Sequence, residues 1–387
     1  VEQLLTRYAR RLEAEGCVQP GRVALACRNE CVGTVGPDDL VQLATELINR
    51  LPVTAVILAE PLFPFPALLL RRALPGLAAL VPNDSESLAS LHDIPLVALS
   101  DKASLPAAIS AALTRRKGCI IDGIGMASQG SLTLEQAYIA WSSLYHASFI
   151  KYHEDLLSYG MLLPEESTAL AHILQENTHA GPPVASHFCT GPLETAPEII
   201  AELAAVGRAT VKRGLVDSFF GNISYAGNNA LYISQTSARL DELEQQIVPV
   251  PFDNGSTLGI TASSELPTHR AIITETGCRA VLHGHPRFPV VMSFFSSPTE
   301  HEGIDQVCEF PVVGGEGGQG GMAQTVPRAF TLTKARAVIV RGHGVFSIGH
   351  DDFIDPFAAL VEVEQRSREE YCRRLVDKLS LSAQRQP

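Results

Sequence analysis

The sequence predicts an α/β chain made of two tandem copies of one unit, each a sheet with helices around it. Three observations predict this. CIIDGIGMAS at residues 119–128 is answered by VIVRGHGVFS at 338–347. AVILAEPLFP at 55–64 is answered by AVLHGHPRFP at 280–289, in the same order along the chain. In both halves short apolar, β-rich runs alternate with stretches of helical periodicity. An internal repeat makes two domains the favoured organisation of 387 residues, each large enough to bury its own core.

The elements follow in order. Leu4, Leu5, Tyr8 and Leu12 fall at helical spacing, so the chain opens with a helix that stops near Gly16. RVALAC, AVILA and GCIID read as strands, with LVQLATELINRL as a helix between the first two. The first half closes on the long helical pattern SLTLEQAYIAWSSLYHASFIKYHEDLL, which should pack Trp141 into the core. The second half repeats the plan: PEIIAELAAVGRATVKRGL as opening helix, LYIS as strand, ELPTHRAIITETG as helix, AVLHG and AVIVRG as strands. DDFIDPFAALVEVEQRSREEYCRRLVDKL closes it. Prolines, glycines and small polar residues in NTHAGPPVASHFCTGPLETAP, 177–197, mark the join. The expected organisation is a domain at 1–180, a linker at 181–195 and a second domain at 196–387. The first copy is shortened, because the stretch 221–265 has only a brief equivalent near 22–40.

Composition narrows the function. A formal charge of −12, with no Lys/Arg run interleaved with aromatics, argues against a nucleic-acid partner. Eight scattered cysteines form no CxxC pair, and no secretory leader precedes them, which is the expectation for reduced thiols in a cytoplasm. No apolar run reaches the roughly 18 residues of a membrane span, so no membrane partner is expected. The glycine-rich stretch VVGGEGGQGGMA, 312–323, lacks the order GxxxxGK[ST] and is read as a loop rather than a nucleotide site.

The two copies differ where chemistry is concerned. In the repeat alignment Leu58 meets His283, Glu60 meets His285 and Ile124 meets His343. His283 and His285 are two apart at the end of an apolar run, so one strand end presents both imidazoles to the same side. An open divalent metal site needs about three protein ligands, and His343, between glycines in RGHG, is the natural third. Glu265, which falls opposite Leu40, stands at the head of a helix with Ser263 or Ser264 as cap. It has two readings: a capping carboxylate, or a proton-transfer base beside a metal. His269 lies one turn further on, on the same face. Gly221 and Asn222 in a turn, Thr236 and Ser237 in ISQTSA, and Ser263 and Ser264 offer hydroxyls and backbone N–H groups suited to a phosphate.

GNISY, LYISQTSARLDEL, SSELPTHRAI, AVLHGHPRFPVV and VIVRGHGVFSIG follow one another within residues 205–350. In them the second half resembles the class II aldolase and adducin family. The resemblance implies two tandem class II aldolase-like α/β/α domains, each with a central, mainly antiparallel sheet flanked by helices, the first a degenerate copy without metal ligands. It implies that His283, His285 and His343 bind zinc or another divalent transition metal, and that Glu265 is the catalytic acid/base. Gly221, Asn222, Thr236, Ser237, Ser263 and Ser264 would line a substrate phosphate pocket. The implied function is a metal-dependent lyase acting on a small phosphorylated sugar or hydroxy acid through a metal-stabilised enediolate, in a cytoplasmic homo-oligomer. The same site serves an epimerase, dehydratase or decarboxylase, and the adducin branch of the family uses the fold as a non-catalytic scaffold. The chain departs from the pattern in carrying Ser237 where glycine is frequent, and in having no tyrosine between Tyr232 and Tyr371.

Overall fold

The computed structural model describes all residues except 74–75, 100–102, 178–187, 218, 254, 315–320 and 384–387. Parts of the expected linker and of the glycine-rich loop therefore lie outside the described residues. The chain divides into two compact units, Val1–Glu176 and Asn177–Pro387.

In the first unit the strands are β1 (Val18–Arg28), β2 (Val32–Val35), β3 (Ala55–Pro61), β4 (Ala79–Leu80), β5 (Ile94–Val97), β6 (Gly118–Ile121) and β7 (Gly125–Gly130). They lie in the order β2-β1-β3-β7-β6-β5-β4. Every neighbouring pair is antiparallel except β5 with β6. The helix Glu2–Ala14 buries Leu5, Tyr8 and Leu12 of the stripe that its spacing predicts, whereas Leu4 is exposed. The helix Leu134–Tyr159 closes the unit, with Thr133 as its N-cap and Trp141 fully buried.

The second unit contains β8 (Asn222–Ala226), β9 (Ala230–Ser234), β10 (Ile247–Pro251), β11 (Ala280–Gly284), β12 (Ser297–Pro298), β13 (Ile304–Val307), β14 (Phe310–Val313), β15 (Ala337–Val340) and β16 (Gly344–Gly349). Their order is β10-β9-β8-β11-β16-β15-β14-β13-β12, with β14 and β15 the parallel pair. A parallel pair needs a crossover, and the helix Gly321–Thr333 supplies it. The helix Ala196–Lys212 opens with a capping box between Thr195 and Glu198, and Ile354–Ala383 closes the unit. Residues 189–193 are tied into this unit: Cys189 N–H donates to Glu202, Gly191 N–H to Asp352, and Leu193 N–H to the Tyr225 hydroxyl.

The repeat holds residue by residue. Leu58 faces Ala127 across β3 and β7, and His283 faces Phe346 across β11 and β16, as the sequence alignment requires. Ile121 faces Gly125 in one unit, and Val340 faces Gly344 in the other. The parallel pairs agree as well: Leu96 with Ile120, and Val312 with Ile339. On the other side of the central strand, Leu58 pairs with Ala24 and Val56 with Ala26, while His283 pairs with Asn222 and Val281 with Ser224. The second sheet exceeds the first by β10 and β12, and β10 belongs to the stretch that the first copy lacks.

The sequence suggests a turn at Asn222, but this residue opens β8, a strand buried along its whole length. Ile223 and Tyr225 point one way and Asn222 and Ser224 the other, so the strand is sandwiched rather than solvated. All eight cysteines are free. Among the described residues no helix is long and apolar enough to cross a membrane.

Candidate active site

Strand β11 delivers His283 as its fourth residue, and the loop after it delivers His285. The turn between β15 and β16 delivers His343, whose N–H donates to Val340 O at 3.0 Å. All three rings are buried. His285 Nε2 lies 2.9 Å from His283 Nε2, and His343 Nε2 lies 3.2 Å from it. His283 Nδ1 is 3.0 Å from the carbonyl oxygen of Val345. A carbonyl only accepts, so Nδ1 carries the proton and Nε2 presents its lone pair to the other two rings.

This geometry fits a metal. A tetrahedral ion about 2.0–2.1 Å from each nitrogen sets its ligand atoms about 3.3 Å apart. The three histidines form a group whose ligand atoms all lie within 4.8 Å of one another. Three protein ligands leave a coordination position open, as a catalytic rather than a structural site does. Close approach of the backbone is built in: a Cβ on Gly344 would stand 2.6 Å from Gly284 O and 2.8 Å from His283 Cε1. Phe346 stacks on His283 at 4.0 Å, and Phe220 on His285 at 5.3 Å, so apolar rings wall the cluster.

Glu265 is the N-cap position of the helix Leu266–Thr276, but its side chain makes no capping bond. Its carboxylate turns to the histidines instead, with Oε1 3.1 Å from His343 Nε2 and Oε2 3.5 Å from His283 Nε2. Asn222 Nδ2 donates to Oε2 at 2.9 Å. Burial opposes ionisation of this carboxyl. The neighbouring His283 and the hydrogen bonds from His343 and Asn222 outweigh it, and hold the group well below the usual carboxylate range. The expected serine cap is displaced because Pro267 occupies the first turn and has no N–H to offer. Ser263 Oγ accepts from Glu265 N at 3.3 Å.

His269 is fully buried on the same helix, and burial in apolar surroundings pushes it down to about 3, so its ring is neutral. Its Nε2 lies 2.5 Å from Asn222 Oδ1 and its Nδ1 lies 2.6 Å from Ser224 Oγ. Ser224 carries no signal in the sequence. Only the register of β8 could have exposed it, because Ser224 shares a strand face with Asn222.

The hydroxyl-bearing segments are brought together. Thr236 N–H donates to Thr261 O at 3.0 Å, and Ser263 N–H to Ser234 O at 2.9 Å, which zips the 234–237 turn to the segment before Glu265. Arg239 sits over the ring of Phe219 at 5.5 Å and ties that turn to the residues before Gly221. Ser237 holds a left-handed φ of 57°, the conformation for which glycine is frequent in the resembled pattern. Thr236, Ser237 and Ser264 are exposed, whereas Ser263 is buried. Gly221 has a φ of 78°, and a Cβ there would stand 2.7 Å from His283 O.

A buried three-imidazole cluster beside an ionised carboxylate defines a candidate metal centre equipped to move a proton. Residues 201–371 match the model of the class II aldolase and adducin N-terminal domain. Among solved structures, the chain is similar to L-fuculose-1-phosphate aldolase from Thermus thermophilus, at 24% identity over 46% of this chain and 96% of that one, with a TM-score of 0.39. It is similar to a sugar-phosphate aldolase from Thermotoga maritima, at 20% identity over 49% of this chain and 98% of that one, with a TM-score of 0.34. The N-terminal class II aldolase domain of a conserved protein from Thermoplasma acidophilum matches at 12% identity over 48% of this chain and 99% of that one, with a TM-score of 0.36. No curated protein matches the chain.

Proposed function

We propose that the protein is a metal-dependent lyase of the class II aldolase type, acting on a small phosphorylated sugar or hydroxy acid. The observation that carries this reading is the meeting of three imidazole Nε2 atoms with the carboxylate of Glu265. A divalent transition ion such as zinc, held by His283, His285 and His343, supplies Lewis acidity toward a carbonyl and its neighbouring hydroxyl. Glu265, ionised at neutral pH, accepts the proton that leaves the substrate and returns it in the reverse direction. Gly221, Asn222, Thr236, Ser237, Ser263 and Ser264 bind the phosphate through backbone N–H groups and hydroxyls, without a lysine. The reading includes a cytoplasmic homo-oligomer.

The stretch between Tyr232 and Tyr371 contains no tyrosine to protonate a departing aldehyde. That observation favours a second reading on the same residues: an epimerase, dehydratase or decarboxylase, which shares the proton-transfer half-reaction and needs no such donor. A test common to both is metal content followed by proton exchange. Protein purified without added metal should hold about one transition metal per chain. It should exchange the C–H protons of dihydroxyacetone phosphate, or of a small hydroxy acid, for deuterium in D2O. Glu265→Gln should keep the metal and lose exchange by about 100-fold or more. A chain that binds no metal even after zinc is supplied is not this enzyme, and the non-catalytic scaffold reading then takes its place.

A further inference from the structure

Behind Glu265 runs a chain of side chains whose inner members no sequence pattern assigned to the chemistry. Asn222 Nδ2 donates to Glu265 Oε2 at 2.9 Å, which leaves Asn222 Oδ1 as an acceptor. His269 Nε2, 2.5 Å from that oxygen, must therefore carry the ring's proton. Being neutral, the ring has only one N–H, so its Nδ1 accepts from the Ser224 hydroxyl at 2.6 Å. All the bonds point the same way, from hydroxyl to carboxylate. Ser224, His269 and Asn222 are buried, so no water competes for their bonds. Were the Asn222 amide to flip, its oxygen would face a carboxylate and its N–H would face an N–H. His269 removes that alternative.

We propose that Ser224 and His269 are positioning residues that lock the Asn222 amide and through it aim the Glu265 carboxylate at the substrate proton. The proposal rests on the reading of Glu265 as the base. An independent observation supports it. In the first unit the strand positions of Asn222 and Ser224 are held by Ala24 and Ala26, and the helix positions of Glu265 and His269 by Leu40 and Ala44. All four belong to one apolar cluster together with Leu58, the counterpart of His283. A device needed only to pack this fold would be expected in both copies. This one is absent together with the metal ligands, as a functional attachment would be.

The test compares His269→Ala, His269→Gln, Ser224→Ala and Glu265→Gln in the full chain. With the metal removed and histidines labelled with 15N, His269 should show the neutral Nε2–H tautomer from pH 8 down to pH 5. In the exchange assay His269→Ala should lower kcat by about 10- to 100-fold while KM stays within about threefold and metal per chain is unchanged. His269→Gln should recover most of that loss, because its amide N–H again donates to Asn222. Ser224→Ala should fall between the wild type and His269→Ala. An Nδ1–H tautomer overturns the proposal, whether or not the chain shows exchange activity. So does an equal loss in His269→Ala and His269→Gln, which would mark a packing role. Exchange that survives Glu265→Gln overturns the base assignment instead, and leaves the tautomer to decide whether the lock exists.

Discussion

Leu58 and His283 occupy the same place in two sheets of one design. Leu58 faces Ala24 and Ala127 inside an apolar cluster, whereas His283 faces Asn222 and Phe346 beside two further imidazoles and a carboxylate. The strand order and register of the central strands are shared, so the difference is one of side chains alone. What the copies keep is as informative as what they change. Gly125 and Gly344 correspond, and a Cβ would stand 2.5 Å from Ala59 O at the first and 2.6 Å from Gly284 O at the second. These glycines serve the backbone, so they remain in both copies. The polar residues serve one another. A buried polar network missing some of its members is worse than an apolar core, because each orphaned group loses its water without gaining a partner. Such a network therefore survives whole or is replaced whole, and the first unit shows the second outcome.

The comparison can be broken from either side. The largest effect is expected from writing the first unit's residue into the second: His283→Leu should reduce bound zinc from about one per chain to near none by elemental analysis. Retention of the metal would mean that His283 is not a ligand. The reverse exchange, Leu58→His, places an imidazole in the apolar cluster without the partners it has in the second unit. Lost apolar burial and an unmet desolvation cost should destabilise the first unit by about 2–5 kcal/mol, read by chemical denaturation. A loss below about 1 kcal/mol would show that the first site retains more polar capacity than its side chains suggest.

The smallest effect is a pH dependence confined to one unit. His269 is held neutral to about 3 in the folded chain, while an unfolded histidine takes up a proton near 6.5. Below that pH the unfolded state binds more protons, so stability falls as pH falls. Between pH 6.5 and 5 the metal-free second unit should lose about 1–2 kcal/mol that a His269→Gln variant does not lose. Hydrogen exchange in β8 is the measurement, with β1 as the internal control because Ala44 stands at the corresponding helix position. A slope of equal size in wild type and variant would assign the effect to other groups.

Much of this is legible in the sequence. The repeat and the three histidines can be read because the histidines lie inside the aligned phrases, and Glu265 can be read because it heads a helical stretch after two serines. The long helices Leu134–Tyr159 and Ile354–Ala383 can be read because their periodicity runs over many turns. Strands of two residues, such as β4 and β12, carry no period at all and escape such a reading. Asn222 reads as a turn residue because Gly221 precedes it, whereas the burial that makes it a strand residue comes from β11 and β9 on either side. Ser224 and His269 are 45 residues apart, and only the packing of a helix over a strand makes them neighbours.

The register of β8, β11 and β16 also bears on how the site comes into being. His283 and His343 are 60 positions apart and Glu265 and His343 are 78 apart, so no local segment brings His343 together with the other members of the cluster. Contacts of such span form only after long stretches of chain have been closed, which makes them slow to appear during folding. The first unit closes the same strands in the same register with leucine and isoleucine at two of the histidine positions. Closure of this topology is thus within reach of apolar contacts alone, and an ion held by the three histidines would enter a frame that folding has already completed instead of templating it. Chelation on this account empties the centre and leaves the sheet standing, unlike the behaviour of small domains whose folding free energy is their metal's binding free energy.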